Sequence, residues 1–182
     1  MFGDDFLTDL QTTSNDSEYG LRPAFFYSTV LIIFLGDQAS KAWIQKAMSF
    51  GMTRPIIGEA FQLYLTQNRG GAWGVLPSGN NIFIVFALIA TIALVYAYHK
   101  LARRDVLIGA SFALALGGAL GNLLDRIRYG YVVDFFYAKI IQWPVFNVAD
   151  SAITVGIVLL IWHYARSIWL ESREKSQSTV QS

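Results

Sequence analysis

The chain predicts a membrane α-helical fold of four transmembrane helices, with a small extracytoplasmic β-sheet platform between helices 1 and 2. Three observations predict it. Four apolar stretches, 24 to 46, 80 to 98, 106 to 124 and 151 to 169, match the about 20 residues that a bilayer core requires. Of the 182 residues, 54% are hydrophobic and 15% charged, a balance too apolar for an ordinary soluble domain of that length. Between the first two stretches, FQLYLTQ alternates apolar and polar side chains as a short strand does, and the glycines of NRGGAWGVLPSGN then allow turns.

Taken in order, residues 1 to 22 are polar and acidic. They read as a disordered cytoplasmic tail and not as a signal peptide, which would begin basic and turn apolar. Residues 23 to 170 form a single four-helix membrane domain, and 171 to 182 a polar C-terminal tail. The first stretch is interrupted by Gly36, Asp37, Gln38, Ser40 and Lys41, so its last third faces protein, water or a site. After the strand, an amphipathic piece is expected to carry Trp73, Val75 and Leu76 into the interface, and the sheet offers an edge for an extended peptide. The second and fourth stretches are clean apolar runs ending in aromatic and basic residues, suited to scaffolding. The third, VLIGASFALALGGALGNLL, is rich in small residues that let helices approach closely, and belongs inside the bundle.

Orientation follows from basic residues. The short turn HKLARRD packs Lys100, Arg103 and Arg104 together, and Arg166, Arg173 and Lys175 follow the fourth stretch, which places both turns and both termini in the cytoplasm. A net charge of +1 gives no broad basic surface and no electrostatic case for nucleic acid. The absence of cysteine excludes disulfides, a thiolate nucleophile and cysteine-ligated metal.

Carboxyls at the ends of apolar helices are hypotheses about a site. Asp134 follows the third stretch and Asp150 opens the fourth, so both reach one face of the membrane, where a pair of carboxyls can share a proton and activate water. Counted from the cytoplasmic end at about 1.5 Å per residue, Asp37 lies roughly 20 Å and Asn122 roughly 25 Å along their helices, at the same outer depth. Each residue also has a plainer reading. Asp150 before SAITV resembles an N-cap. Asp37 and Lys41 are i and i+4 and form a natural ion pair. Asn68, Asn122 and Asn147 can tie loops together or steady an oxyanion. Arg126 beside Asp125 reads as a salt bridge or as an anchor for a lipid phosphate. His99 and His163 read as interfacial side chains near the cytoplasmic ends.

The strings Asp37-Gln38-Ala39-Ser40-Lys41, Asn68-Arg69-Gly70-Gly71-Ala72-Trp73-Gly74, Gly117-Gly118 through Gly121-Asn122 with Asp125-Arg126 and Val133-Asp134-Phe135, and Trp143-Pro144 with Phe146-Asn147-Val148-Ala149-Asp150 resemble the four signature blocks of the lipoprotein signal peptidase family, signal peptidase II, in the family's order. Gly71 departs from it, the family more often having alanine there. The resemblance implies an aspartic endopeptidase of the bacterial inner membrane with its site near the periplasmic face. Its catalytic pair falls on Asp134 and Asp150. Its substrate is a diacylglyceryl-modified prolipoprotein, cleaved just before the lipidated cysteine. It also implies that Asp37, Lys41, Asn68, Gly70, Gly118, Asn122, Asp125, Arg126 and Asn147 line or support the site. No metal or cofactor is implied, membrane lipid is a further partner, a monomer is expected, and globomycin-type inhibitors are expected to bind there.

Two rival readings make different predictions. A small transporter or channel subunit would use the polar groups as an ion path, and a non-enzymatic scaffold would present the sheet to a partner.

Overall fold

The computed structural model describes residues 22–70, 80–101 and 105–180. Helix α1 spans Pro23–Ala47, strands β1 (Thr53–Ile57) and β2 (Phe61–Asn68) follow, then helices α2 (Asn80–Leu101) and α3 (Val106–Tyr129), strand β3 (Val132–Tyr137), a short 3-10 turn (Lys139–Ile141) and helix α4 (Val148–Val180). Local chemistry sets several of these boundaries. Pro23, which lacks an N–H, opens α1 where that donor would have had no partner. Asp105 caps α3, its carboxylate accepting from the N–H groups of Leu107 and Ile108 at 2.8 and 3.0 Å. Gly130 ends α3 with φ at 76°, a left-handed turn that a β-carbon disfavours.

Among the described residues, three helices are long and apolar enough to cross a membrane, Asn80–Leu101, Val106–Tyr129 and Val148–Gln177. Helix α1 has 25 residues, yet its second half carries Asp37, Gln38, Ser40 and Lys41, and by composition it is not among the three. Helix α4 runs on to Val180, so the expected start of a tail at 171 falls within a helix. The acidic tail up to residue 21, the amphipathic piece with Trp73, Val75 and Leu76, and residues 181–182 lie outside the described residues.

Helix α3 is central and packs against α1, α2 and α4. Its small residues make that possible, because a β-carbon on Gly117 would stand 2.8 Å from Ile33 Cβ and 2.9 Å from the Val30 carbonyl oxygen. Phe26, Val30, Tyr98, Ile108, Ala113 and Leu116 fill the interior between α1, α2 and α3. The outer faces are apolar too, with Ile82, Phe86, Ile89 and Ile92 exposed on α2, a surface that suits lipid. In lipid the hydrophobic effect does not drive helix association, so close packing and buried polar contacts have to hold the bundle together.

The sheet differs from expectation in one respect. It has three antiparallel strands in the order β1-β2-β3, and only the first two come from between α1 and α2. The third, VVDFFY, follows α3 and carries Asp134. Its first four residues, Asp134 among them, are all buried, so it shows none of the apolar–polar alternation that marks β2 in the sequence. Ile44 and Met48 at the end of α1 pack against Leu65, Val133 and Phe135 of the sheet. This second core ties β3 to the helical bundle.

Candidate active site

Four elements bring the polar residues together. Asp134 sits opposite Thr66 in the β2–β3 ladder. Asn68, two residues along the same face of β2, reaches it diagonally, and its Nδ2 donates to Asp134 Oδ2 at 2.8 Å. Asn147 precedes α4 and caps it. Its Oδ1 accepts from the Asp150 N–H at 2.9 Å, while Asp150 Oδ2 accepts from the Asn147 N–H at 3.1 Å. This is a reciprocal capping box with asparagine and aspartate in its two places. Asp150 is therefore the third helical residue and Asn147 the cap, which corrects the reading of Asp150 as N-cap. The same Asn147 Nδ2 donates to Asp134 Oδ1 at 2.7 Å and to Asn122 Oδ1 at 3.0 Å. Asn122 Nδ2 in turn donates to Asp150 Oδ1 at 2.8 Å.

Beneath this layer Lys41 is the hub. Its ammonium lies 2.8 Å from Asp37 Oδ2, 2.9 Å from Asp125 Oδ2 and 3.0 Å from Asn122 Oδ1, so all three of its N–H donors have acceptors. Asp37, Lys41 and Asp125 are each at most 2% exposed, and charges this deep persist only when paired. Asp37 Oδ1 also accepts the Ala149 N–H at 3.0 Å, placing a second carboxylate at the positive end of α4. Asp125 accepts the Val133 N–H at 3.0 Å and so fixes the start of β3. Its ion-pair partner is Lys41 and not its neighbour Arg126, because consecutive residues point about 100° apart around a helix.

Arg126 is nearly buried, with its guanidinium 4.5 Å from the centroid of the Phe83 ring. It lies within electrostatic reach of Asp134, Asp150 and Asp125, and its Nη1 has no hydrogen-bond partner among the described residues. Gly70 is buried two residues beyond Asn68. Gly118 faces the first turn of α4, where a β-carbon would overlap the Ala149 carbonyl and lie 2.8 Å from Ile153 Cγ1, and one on Gly121 would overlap Asp37 Oδ2. Gly118→Ala is accordingly expected to cost about 1–3 kcal/mol by overpacking, while Gly36→Ala, with open space around it, leaves the bundle unchanged or slightly firmer; thermal unfolding of the two variants in detergent checks the contrast.

Gln38 was not among the expected site residues, although it stands beside Asp37. Its Nε2 donates to Asp125 Oδ1 at 3.0 Å, Asp37 Oδ2 at 3.2 Å and the Gly121 carbonyl at 3.2 Å. An amide inside a membrane-length helix was the available signal. The histidines lie apart from this network and are tied across helices, His99 to the Tyr27 hydroxyl at 3.0 Å and His163 to Asp105 at 3.6 Å. Among the described residues, no three histidine, aspartate or glutamate side chains gather as metal ligands would.

Asp134, on β3, is buried within reach of the Asp150 charge. Burial pushes its carboxyl from 3.8 up to about 8, with the Asp150 charge adding to the rise and Asn68, Lys41 and Asn147 opposing it. A carboxyl that keeps its proton near neutrality, held by an asparagine that also binds a second carboxyl, can act as an acid beside a base.

Residues 29–166 match the family described as Signal peptidase (SPase) II. The chain is 44% identical over 135 residues to a lipoprotein signal peptidase of Halothermothrix orenii, covering 74% of this chain and 91% of that protein. It is 41% identical over 138 residues to one of Pelotomaculum thermopropionicum, covering 76% and 90%. A solved structure described as a bacterial membrane enzyme, at 30% identity, superposes with a TM-score of 0.78 over 82% of this chain and 93% of its own. A second of the same description, at 31% identity, gives 0.74 over 80% and 96%. This chain belongs to the signal peptidase II family.

Proposed function

We propose that the protein is an aspartic endopeptidase that removes the signal peptide from diacylglyceryl-modified prolipoproteins, cutting just before the lipidated cysteine, with Asp134 and Asp150 as its catalytic pair. The observation that carries this reading is the meeting of the two carboxylates, from β3 and from α4, on the one residue Asn147, whose side-chain NH₂ donates to Asp134 Oδ1 and whose backbone N–H donates to Asp150 Oδ2. Two carboxyls this strongly coupled do not both ionise at neutral pH. The ionised one takes a proton from water, and the protonated one hydrogen-bonds the scissile carbonyl as the tetrahedral intermediate forms.

Asn68, Asn122 and Asn147 hold the pair, Lys41 holds Asn122, and Asp37 and Asp125 hold Lys41. Gly118 allows the approach of α4, and Gly70 adjoins Asn68. Arg126, with an unfilled N–H, is the donor left for substrate. No metal or cofactor enters these steps. In this reading α1 is a fourth span, its 25 residues roughly 37 Å long at 1.5 Å per residue, with its charges turned inward and Phe25, Leu31, Ile32 and Leu35 exposed outward. The termini lie in the cytoplasm of a bacterial inner membrane and the dyad near the outer face. The substrate's diacylglyceryl group, remaining in the bilayer, holds the scissile bond at that depth and makes the encounter local. Globomycin-type inhibitors would compete there.

Cleavage of a diacylglyceryl-modified lipobox peptide by the purified protein, beside its unlipidated twin, tests the assignment. Equal cleavage of both, or of neither by folded protein, would count against it. A pH profile adds a sign. With Asp134 raised to about 8, the pair keeps its proton below that pH and loses it above, so kcat should fall as pH rises through about 8.

A further inference from the structure

Resting on the dyad just assigned, we infer that the pair's single proton resides on Asp134 Oδ2, facing Asn68, and that Asp150 is the ionised partner that takes the proton from water. The placement follows from which amides are free to turn. Oδ1 of Asn122 faces the Lys41 ammonium and Asn147 Nδ2, both pure donors, so Asn122 must present its NH₂ to Asp150 Oδ1. Oδ1 of Asn147 faces the backbone N–H of Asp150 while its Nδ2 also points at the Val133 carbonyl at 3.3 Å, so Asn147 must present its NH₂ to Asp134 Oδ1. Asp150 Oδ2 meets the Asn147 backbone N–H, which cannot turn at all. Three of the four carboxylate oxygens therefore face donors locked in place, and a proton on any of them would set donor against donor.

The fourth, Asp134 Oδ2, meets only Asn68 among the described residues. The Asn68 amide makes no other hydrogen bond among them, and turning it about exchanges Nδ2 for Oδ1 at no cost in shape. It then accepts the proton of Asp134. The fold adds to this. Asp150 lies in the first turn of α4, at its positive end, while Asp134 is on β3 and 1% exposed; Lys41 from α1 and Arg126 from α3 act on both carboxyls, and the Asp37 charge from α1 also reaches Asp150. The chemistry then balances. One water O–H breaks, its proton passes to the Asp150 carboxylate and its oxygen bonds the scissile carbonyl carbon, whose oxygen receives the proton of Asp134. Collapse breaks the C–N bond, the proton on Asp150 goes to the leaving amine nitrogen, and a hydroxyl of the intermediate returns a proton to Asp134.

An asparagine at 134 mimics the protonated acid, offering Oδ1 to Asn147 and NH₂ to a turned Asn68. An asparagine at 150 has no such option, because both of its positions face fixed donors. Asp134→Asn should therefore unfold at or above the wild-type temperature at pH 7, and Asp150→Asn on the order of 5 °C below it. Infrared spectra supply a readout that does not depend on how well Asp150→Asn folds. The C=O stretch of a protonated carboxyl should be present in the wild type at pH 7 and gone from Asp134→Asn. A band that survives in Asp134→Asn, a wild type with no such band, or equal loss of stability in the two variants would overturn the placement. Neither measurement uses substrate, so a failure to cleave prolipoprotein would sink the activity and leave the proton's position standing.

Discussion

Asp134→Asn and Asp150→Asn are each expected to lower kcat for cleavage of a lipidated prolipoprotein by about 10⁴-fold or more, with the double variant no worse than either single one. The magnitude follows from the roles. General acid or base catalysis contributes about 10²–10⁴-fold alone, and a pair acting as a unit loses most of its effect when one member goes. The asparagines preserve shape, so the loss is chemical. KM should move little, because the substrate is held by its lipid and by groups outside the pair. Single-turnover cleavage of a diacylglyceryl lipobox peptide by folded variants is the measurement. Activity that survived in both would move the chemistry elsewhere and favour a scaffold that presents the sheet. Proton flux in liposomes, abolished by the same substitutions, would favour the transport reading, although the four aspartates stand together in one network where a path would string them across the membrane.

Lys41→Met should be the most destabilising single change outside the dyad, by about 3–5 kcal/mol. The ammonium is the shared partner of two buried carboxylates and of Asn122. Removing it leaves Asp37 and Asp125 as uncompensated charges, and the methionine offers nothing to Asn122 Oδ1. A cavity of about 390 Å³ lined in part by Gln38, Lys41 and Asp125 would give water room beside the stranded Asp125 once the lysine is gone, which places the cost toward the lower end of that range. Lys41→Arg should not restore the wild type, since a planar fork does not match three acceptors arranged about one nitrogen. Adding Asp125→Asn to Lys41→Met should recover part of the loss by removing one stranded charge. Thermal unfolding of the three variants in one detergent decides it, and equal midpoints for Lys41→Met and the wild type would show that the hub is not structural.

Much of this molecule was legible in one dimension. Apolar runs of bilayer length marked the starts of α2, α3 and α4 to within three residues, because a span must cover the thickness of the lipid, although α4 continues to Val180, past the end expected at 169. Glycine, alanine and serine along 106 to 124 marked α3 as the central helix, since only small side chains let backbones meet. The alternation of apolar and polar side chains in FQLYLTQ marked β2. By contrast, β3 is buried from Val132 to Phe135, and a strand without a wet face has no period to read. Arg126 was paired with Asp125 because they are adjacent, although adjacency in a helix points side chains apart. Asp150 was read as a cap because it opens an apolar run, although the start of the helix lies three residues earlier at Asn147.

The sequence by itself determined the membrane class, the family and the polar residue types available to a site, because composition, run length and motif are local properties of the chain. Tertiary structure decided which polar group answers which. Asn68 meets Asp134 across 66 residues, Lys41 meets Asn122 across 81 and Gln38 meets Asp125 across 87. Hydrogen bonds over such separations arise only once close helix packing and the β2–β3 register have brought the partners within about 3 Å, and it is those bonds that orient the asparagines around the two aspartates.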